Sequence, residues 1–289
     1  MFAEINGTRI FFDIEGTGLA SSDGELTAKP TLVALHGGPG FDHGYLRPGL
    51  SALSEIAQVV YVDLRGQGRS DRPSLETCTL EQMADDIAGL CLFLGIEKPV
   101  LFGHSAGGFV SMHIALRHPH LPKGMILSGS SASMKPGQED GGEHPPPLAS
   151  RASSDVVETA ARVFAGDITE ESVAAFLRKV GPFYGGPAHM QIVSEILRLT
   201  TANIDIMKHF MVSIGPRYDL LADLCRIDVP TLVMVGRYDW ICPPRASRAI
   251  ARGIPEARII QFENSGHFLF SEEPNEFLYR TRLFLDSLR

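Results

Sequence analysis

The hydrophobic and polar positions along the chain indicate strands that alternate with helices. Residues 2–6 and 9–14 are rich in apolar side chains around Asn6-Gly7, a dipeptide typical of a two-residue hairpin turn, so they predict an opening β-hairpin. The later apolar runs are short and continuous, as in strands that are buried on both faces of a parallel sheet. They lie at residues 31–35, 58–63, 100–102, 125–127, 231–235 and 258–262. Together these segments predict eight strands.

Helical patterns separate these runs. Residues 79–94 place apolar or small side chains three and four positions apart, with Thr79 as the expected N-cap and Gly95 as the stop. Further helices are expected at 46–56, 106–116, 245–252 and 274–288. The alternation predicts an α/β fold, with a mostly parallel sheet that carries helices on both faces.

Between residues 149 and 224 the strand pattern lapses, and short helices are expected at 154–165, 170–180, 188–199 and 203–213. We therefore expect a helical cap inserted after the sixth strand. The predicted division is a first part of the core at 1–132, the cap at 133–224 and a second part of the core at 225–289. Residues 16–30 and 128–147, rich in small residues or proline, are expected to form loops.

Composition narrows the class of protein. The 289 residues are 44% hydrophobic and 21% charged, with a formal net charge of −8 and no basic cluster, so we expect neither nucleic-acid nor membrane binding. Cys78, Cys91, Cys225 and Cys242 form no C-x-x-C pair and are expected to be free thiols. The first residues do not resemble an export signal, and no apolar run approaches bilayer length. We expect a cytoplasmic protein, and homo-oligomer formation stays open.

The segment Gly103-His104-Ser105-Ala106-Gly107 has the Gly-x-Ser-x-Gly pattern of a nucleophile elbow. In such an elbow, a serine lies on a sharp turn between a strand and a helix, and the glycines avoid collisions with neighbouring backbone. The alternative is a small-residue turn without chemistry. The apolar strand before the motif and the helical pattern after it favour the elbow.

A glycine-rich loop follows the third predicted strand. It reads His36-Gly37-Gly38-Pro39-Gly40 and is expected to expose backbone N–H groups, as an oxyanion hole requires. We expect the N–H groups of Gly38 and Ala106 to bind the oxyanion, against the alternative of an ordinary turn and helix start. For His36 a packed, hydrogen-bonded role is expected rather than a catalytic one.

The acid and base that a serine nucleophile needs come in the expected chain order. Asp239 follows one late strand and His267 follows the next, where the carboxyl ends of parallel strands meet. The alternatives are a loop or N-cap carboxylate for Asp239 and a buried structural histidine for His267. No histidine pair has metal-ligand spacing with a carboxylate partner, so no metal is expected. The turn at 65–73 lacks the third glycine of a dinucleotide fingerprint, so no cofactor is expected.

Taken together, the motifs around Gly38, Ser105, Asp239 and His267 resemble those of the α/β-hydrolase superfamily, in particular the prolyl aminopeptidase (proline iminopeptidase) family of serine peptidases and related esterases. The resemblance covers both core segments and implies an α/β-hydrolase fold. Family members of the peptidase type typically bind the substrate's free α-ammonium group with glutamates of the lid. Their elbow is Gly-Gly-Ser-Trp-Gly, whereas the elbow here has the form common among esterases.

The expected function is therefore a serine hydrolase that cleaves a small ester or amide, or releases the N-terminal residue of a short peptide, through an acyl-enzyme. A carboxylesterase or lactonase is the alternative, and a non-catalytic ligand-binding protein of this fold is a third. An aminopeptidase would need an acidic group in the cap, whereas an esterase would need only an apolar pocket. The candidate substrate-binding residues are Glu158, Glu195, Phe183 and Tyr184, with Glu170 and Glu171 as further cap carboxylates and Phe164, Phe176, Met190, Phe210 and Met211 as further apolar positions.

Overall fold

The computed structural model of the chain describes residues 1–22, 25–135 and 142–288. The strands are Phe2–Ile5 (β1), Thr8–Glu15 (β2), Leu19–Ser22 (β3), Glu25–Ala28 (β4), Thr31–Leu35 (β5), Gln58–Val62 (β6), Val100–His104 (β7), Gly124–Ser128 (β8), Thr231–Gly236 (β9) and Ala257–Phe262 (β10). The helices are Arg47–Leu50 (α1), Leu80–Leu94 (α2), Ala106–Arg117 (α3), Ser154–Phe164 (α4), Glu170–Lys179 (α5), Met190–Leu197 (α6), Ile204–His209 (α7), Pro244–Gly253 (α8), Leu269–Glu272 (α9) and Pro274–Ser287 (α10).

The main sheet has eight strands in the order β1-β2-β6-β5-β7-β8-β9-β10. The β1–β2 and β2–β6 pairs are antiparallel, and every other neighbouring pair is parallel. This sheet confirms the predicted eight-stranded, mostly parallel architecture. Its parallel part brings the carboxyl ends of β5, β7, β8, β9 and β10 to one edge, where the candidate site lies.

A second sheet, the hairpin β3–β4, lies in the stretch that the sequence predicts to be a loop. All four residues of β4 are exposed. A strand without a buried face needs no apolar alternation, so the usual signal of a strand is missing here.

Most predicted helices are confirmed within a few residues. The Oγ1 atom of Thr79 caps α2 by accepting a hydrogen bond from the N–H of Gln82, and Gly95 ends that helix in the left-handed region at φ +67°. The expected helix at 46–56 is instead divided into 3₁₀ turns at His43–Leu46 and Ser51–Glu55 with α1 between them. Pro48 and Gly49, both poor formers of a helix interior, lie within the short α1, and a continuous helix over 46–56 would place both residues in its interior.

Alternate side chains of each central strand enter two hydrophobic layers, one on each face of the sheet. On β7, Leu101 faces the layer that is covered by α2, α3 and α8. Its neighbours Val100 and Phe102 face the layer that is covered by α1, α6, α9 and α10. The arrangement confirms helices on both faces.

The described part of the segment between β8 and β9 contains the helices α4 to α7 and has a small apolar cluster of its own. Residues 136–141 of the expected cap lie outside the described residues. Helix α6 packs into the main core through Val193, Ile196 and Leu197, so the cap is tied to the sheet layer. The division at residues 132/133 and 224/225 is our proposal. Within the described residues, no helix has the length and apolar character of a membrane span.

Phe102 packs in the core between the sheet and the helices that cover one of its faces. Its ring is fully buried and contacts Phe270 and Phe277 edge to face, with both centroid distances 5.9 Å. Truncation to alanine leaves a cavity between sheet and helices, so Phe102→Ala is expected to lower the free energy of unfolding by about 3–5 kcal/mol. Urea denaturation followed by circular dichroism measures this loss.

The matched control is Leu92→Ala, because the Leu92 side chain on α2 is 84% exposed. Its effect is expected to stay within about 0.5 kcal/mol. A Phe102→Ala loss no larger than that of the control contradicts this description of the core.

Candidate active site

The backbone of Ser105 has the conformation of a nucleophile elbow. Its φ is +53° and its ψ is −120°, which is unusual for a residue with a side chain. The N–H of Ser105 donates to the carbonyl oxygen of Ser128 at 3.0 Å, and its own carbonyl accepts from the Ser130 hydroxyl at 2.8 Å. These bonds fix the strained turn between β7 and α3.

The two glycines of the motif are required by close backbone approach. A Cβ on Gly107 would overlap the carbonyl oxygen of Leu35, and a Cβ on Gly103 would lie 2.6 Å from the Cα of Gly108. The steric reason expected for Gly-x-Ser-x-Gly is therefore visible in the structure.

Asp239 and His267 form a buried pair at the ends of β9 and β10. The Oδ2 atom of Asp239 accepts a hydrogen bond from Nδ1 of His267 at 2.7 Å. Its Oδ1 atom accepts from the backbone N–H groups of Ile241 and Cys242, each at 2.9 Å. Because a carboxylate can only accept, the His267 proton lies on Nδ1 in the neutral ring, and Nε2 is left as the basic nitrogen.

Ser105 and His267 line the same pocket, and no hydrogen bond joins their side chains within the described part of the chain. In unliganded enzymes such a bond often forms only with substrate. The buried thiol of Cys242 lies near the Ser105 hydroxyl, and burial raises the pKa of that thiol well above its usual range. The sequence motifs do not single out Cys242 in this position.

The loop at residues 36–40 lies directly against the serine, since a Cβ on Gly37 would be 2.6 Å from the Ser105 Cβ. The N–H of Gly37 donates to the Tyr45 hydroxyl and that of Gly40 donates to Oε1 of Gln67, both at 2.6 Å. The N–H of Gly38 has no partner among the described residues. The N–H of Ala106, the first residue of α3, is one of the helix-start groups that have no intrahelical acceptor. Both groups are thus available to an oxyanion.

A hydrogen-bonded chain links this loop to the histidine loop. The Tyr45 hydroxyl accepts from Gly37, so its own hydrogen goes to Nδ1 of His104 at 2.7 Å. The Nε2–H of His104 then donates to the carbonyl oxygen of His267 at 3.0 Å. Burial lowers the pKa of His104 well below its usual range, which keeps the ring neutral. His104, at the end of β7, thereby links Tyr45 and the loop at residues 36–40 to the loop that carries His267.

The pocket at Ser105 is a small cavity of about 110 Å³. No Asp, Glu, Lys or Arg side chain lines it within the described residues. Besides Ser105 and the two histidines, the wall consists of glycine, proline, tyrosine and apolar side chains: Gly38, Pro39, Phe41, Tyr45, Val163, Phe164, Ile168, Val173, Phe176, Leu177, Gly181, Tyr184, Leu197, Met207, Met211, Ile241 and Phe268.

The expected cap carboxylates are not part of this wall, and that expectation is corrected here. Glu158 and Glu195 are exposed on α4 and α6, and Oε1 of Glu195 accepts from the Gln191 amide at 2.7 Å. Glu170 and Glu171 are exposed as well. These carboxylates lie on the solvated faces of their helices, because the apolar faces are buried.

The expected aromatic residues divide between the pocket and the interior of the cap. Tyr184 lines the pocket, and its carbonyl oxygen accepts from the N–H of His267 at 2.7 Å. Phe183 does not line the pocket; it packs against the small cap cluster, and its carbonyl oxygen accepts from the Trp240 indole. Phe164, Phe176 and Met211 line the pocket, whereas Met190 and Phe210 do not.

Other sequence features have structural roles. The buried His36 ring contacts the Gly37 carbonyl through Nδ1 at 2.8 Å and accepts from the N–H of Leu64 through Nε2. Arg65 and Asp86 form a buried bidentate ion pair at the start of the turn at 65–73.

All four cysteines are free thiols. No group of three His, Cys, Asp or Glu side chains within the described ranges is arranged to hold a metal ion.

Comparison with known proteins agrees with this geometry. The model of the α/β hydrolase fold family matches residues 30–274. The chain is 28% identical to proline iminopeptidase PfmaB of Pestalotiopsis fici over 99% of each chain, and 28% identical to a proline iminopeptidase of Saccharolobus solfataricus over 89% of this chain and 85% of that one. The structure of a thermophilic esterase from Thermogutta terrifontis superimposes with a TM-score of 0.76 at 25% identity, covering 100% of this chain and 98% of that one. The resemblance expected from the motifs is thereby confirmed: the chain belongs to the α/β hydrolase fold family.

Proposed function

We propose that this chain is a serine hydrolase of small, uncharged carboxylic esters or lactones. The observation that carries the proposal is the apolar wall of the pocket at Ser105, which offers no charged side chain among the described residues. Such a pocket stabilises an apolar acyl group through burial alone. The likeness to a thermophilic esterase over the whole chain supports the same class.

In the proposed mechanism, Ser105 Oγ attacks the carbonyl carbon of the substrate while Nε2 of His267 takes the hydroxyl proton. The carbonyl oxygen becomes an oxyanion that accepts hydrogen bonds from the N–H groups of Gly38 and Ala106. The C–O bond to the alcohol then breaks, and His267 returns the proton to the leaving oxygen. Asp239 holds the ring and stabilises its charged form throughout.

Water completes the cycle in the same site. His267 takes a proton from the water as its oxygen attacks the acyl carbon, a second oxyanion forms, and the bond to Ser105 Oγ breaks. The serine regains its proton from His267, and the free acid leaves.

An aminopeptidase of the proline iminopeptidase type is the second candidate. Its support is the loop at residues 36–40 and the named relatives at 28% identity. A substrate with a free α-ammonium group would bury that charge against the apolar wall. A buried, unpaired ion costs several kcal/mol, so the geometry supports the ester more strongly than the peptide.

The cavity volume supports a short acyl group. About 110 Å³ is less than the roughly 150 Å³ that accommodates benzene in an engineered protein cavity. We therefore propose substrates whose acyl part has about the size of a five-membered ring or a short chain.

Substitutions at the proposed catalytic residues test the mechanism. Ser105→Ala removes the nucleophile and is expected to lower kcat on p-nitrophenyl butyrate by about 10⁶-fold. Asp239→Asn leaves His267 in the wrong tautomer and is expected to lower it by about 10⁴-fold. Steady-state kinetics on variants with native circular dichroism measure both losses.

Ser154→Ala, at an exposed position at the start of α4, is the control and is expected to keep the wild-type rate. Retention of most ester hydrolysis by Ser105→Ala contradicts the mechanism.

A matched pair of substrates separates the two candidate functions. Methyl cyclopentanecarboxylate and proline methyl ester share ring size and leaving group, and they differ in the charged ring nitrogen. We expect kcat/KM at pH 7 to be at least about 100-fold higher for the cyclopentane ester, because the apolar wall leaves the ammonium group unpaired. Acid release in a pH-stat measures both reactions. A higher kcat/KM for the proline ester supports the aminopeptidase and contradicts the ester proposal.

A further inference from the structure

The loop that carries His267 is held by a buried carboxylate outside the Ser105, Asp239 and His267 constellation. Glu272, the last residue of α9, is only 3% exposed. Its Oε2 atom accepts from the N–H of Gly266 at 2.8 Å, and its Oε1 atom accepts from the N–H of Phe268 at 2.9 Å. The two peptide N–H groups on either side of His267 therefore both donate to the same side chain.

The same carboxylate also reaches the cap. Its Oε2 atom accepts from the N–H of Gly186 at 2.7 Å. Gly186 lies two residues after Tyr184. Tyr184 lines the pocket, and its carbonyl oxygen accepts from the N–H of His267. Three consecutive N–H groups of the histidine loop, at residues 266, 267 and 268, are thus fixed by Glu272 and the cap segment.

The position of Glu272 is costly for an ionised group. Burial and the nearby Asp239 carboxylate raise the pKa of Glu272 to about 7, while the three N–H donors act in the opposite direction. The Arg151 guanidinium also interacts with this carboxylate, and its Nη2 donates to the Gly185 carbonyl at 2.7 Å. A buried carboxylate thus lies near the proposed base in spite of its desolvation cost and accepts three backbone hydrogen bonds there, which favours a role in the site.

We propose that Glu272 is a positioning residue: through the N–H groups of Gly266, Phe268 and Gly186, it fixes the His267 imidazole for proton transfer and joins the histidine loop to the cap. The inference rests on the proposed function, in which His267 is the base. Glu272 acts through the backbone and does not touch the substrate. A base that is misplaced by about 1 Å can lose about 100-fold in rate, so small shifts of this loop are expected to be visible in kcat.

The chain offers a matched control one residue away. Glu273 is partly exposed, and its Oε2 atom accepts from the N–H of Asn264 at 3.1 Å and from the hydroxyl of Ser265 at 2.6 Å. These contacts hold the start of the same loop but not the N–H groups that flank His267. Glu272→Gln and Glu273→Gln are therefore the same chemical change at two neighbouring carboxylates with different partners.

The experiment compares the two variants on p-nitrophenyl butyrate. The glutamine amide has one acceptor oxygen and turns an NH₂ group towards at least one N–H donor, so the three-bond arrangement is lost. We expect kcat of Glu272→Gln to fall by about tenfold or more. We expect KM to change by less than about threefold, because the pocket wall is intact. We expect the midpoint of thermal unfolding to stay within about 4 °C of wild type. Glu273→Gln is expected to keep kcat within about twofold.

Three results overturn the inference. They are a wild-type kcat in Glu272→Gln, equal losses of kcat in both variants, or a loss of kcat in Glu272→Gln that is fully explained by a smaller fraction of folded protein. A readout on the wild-type protein keeps the test decisive if Glu272→Gln does not fold. The amide hydrogens of Gly266 and Phe268 are expected to exchange as slowly as those of β10, and exchange at the rate of an exposed loop overturns the inference.

The Ser105→Ala variant separates this inference from the proposed function. If Ser105→Ala still hydrolyses the ester, the proposed function fails. If Ser105→Ala is inactive while Glu272→Gln keeps the full kcat, only the role of Glu272 fails.

Discussion

The close approach of α3 to strands β5 and β7 is the constraint on which the site depends. Gly103 and Gly107 leave no room for side chains, and Ser105 between them is held at φ +53°. This conformation lifts the serine out of the sheet and starts α3 at Ala106, so the same turn fixes the proposed nucleophile and one of the two proposed oxyanion donors. The loop at residues 36–40 can then pack directly on the serine, and its residue Gly38 lines the same pocket as Ser105.

The rest of the site is held together by backbone hydrogen bonds, by the neutral His104 ring and by the buried carboxylates of Asp239 and Glu272. Tyr45 and the neutral His104 ring join the loop at residues 36–40 to the carbonyl of His267, while Glu272 holds the N–H groups on either side of that histidine. The wall that faces a substrate is apolar within the described part of the chain. Bonds to the backbone of His267 leave Nε2 of its ring free for the proposed proton transfer, and an apolar wall fits the proposed uncharged acyl groups.

Much of the prediction from sequence rested on local patterns of residues. The hairpin signal at Asn6-Gly7 identified the first two strands of the main sheet, and continuous apolar runs identified the other six. The Gly-x-Ser-x-Gly motif identified a turn whose geometry is set by neighbouring residues. Asp239 and His267 could be assigned because parallel strands bring their carboxyl ends to one edge, and the structure brings these two side chains into contact. The β3–β4 hairpin was missed, since a strand without a buried face lacks a hydrophobic pattern.

The cap and the supporting residues depend on tertiary contacts that the sequence does not reveal. Which face of α4 or α6 points inward depends on packing between helices, so Glu158 and Glu195 could not be separated from pocket residues by sequence alone. Tyr45 reaches His104 across 59 positions of the chain. Glu272 offered a weak signal, a carboxylate five residues after the histidine and two residues after the apolar run at residues 268–270.

The most direct test of the central claim is covalent labelling with a fluorophosphonate, followed by peptide mass spectrometry. If Ser105 is an activated nucleophile, we expect one adduct per chain, on the peptide that contains Ser105. We expect ester hydrolysis to be lost in proportion to labelling. A protein that hydrolyses the ester yet carries its adduct on another residue, such as Cys242, contradicts the assignment of the nucleophile. A folded protein that takes no label contradicts catalysis by this serine altogether.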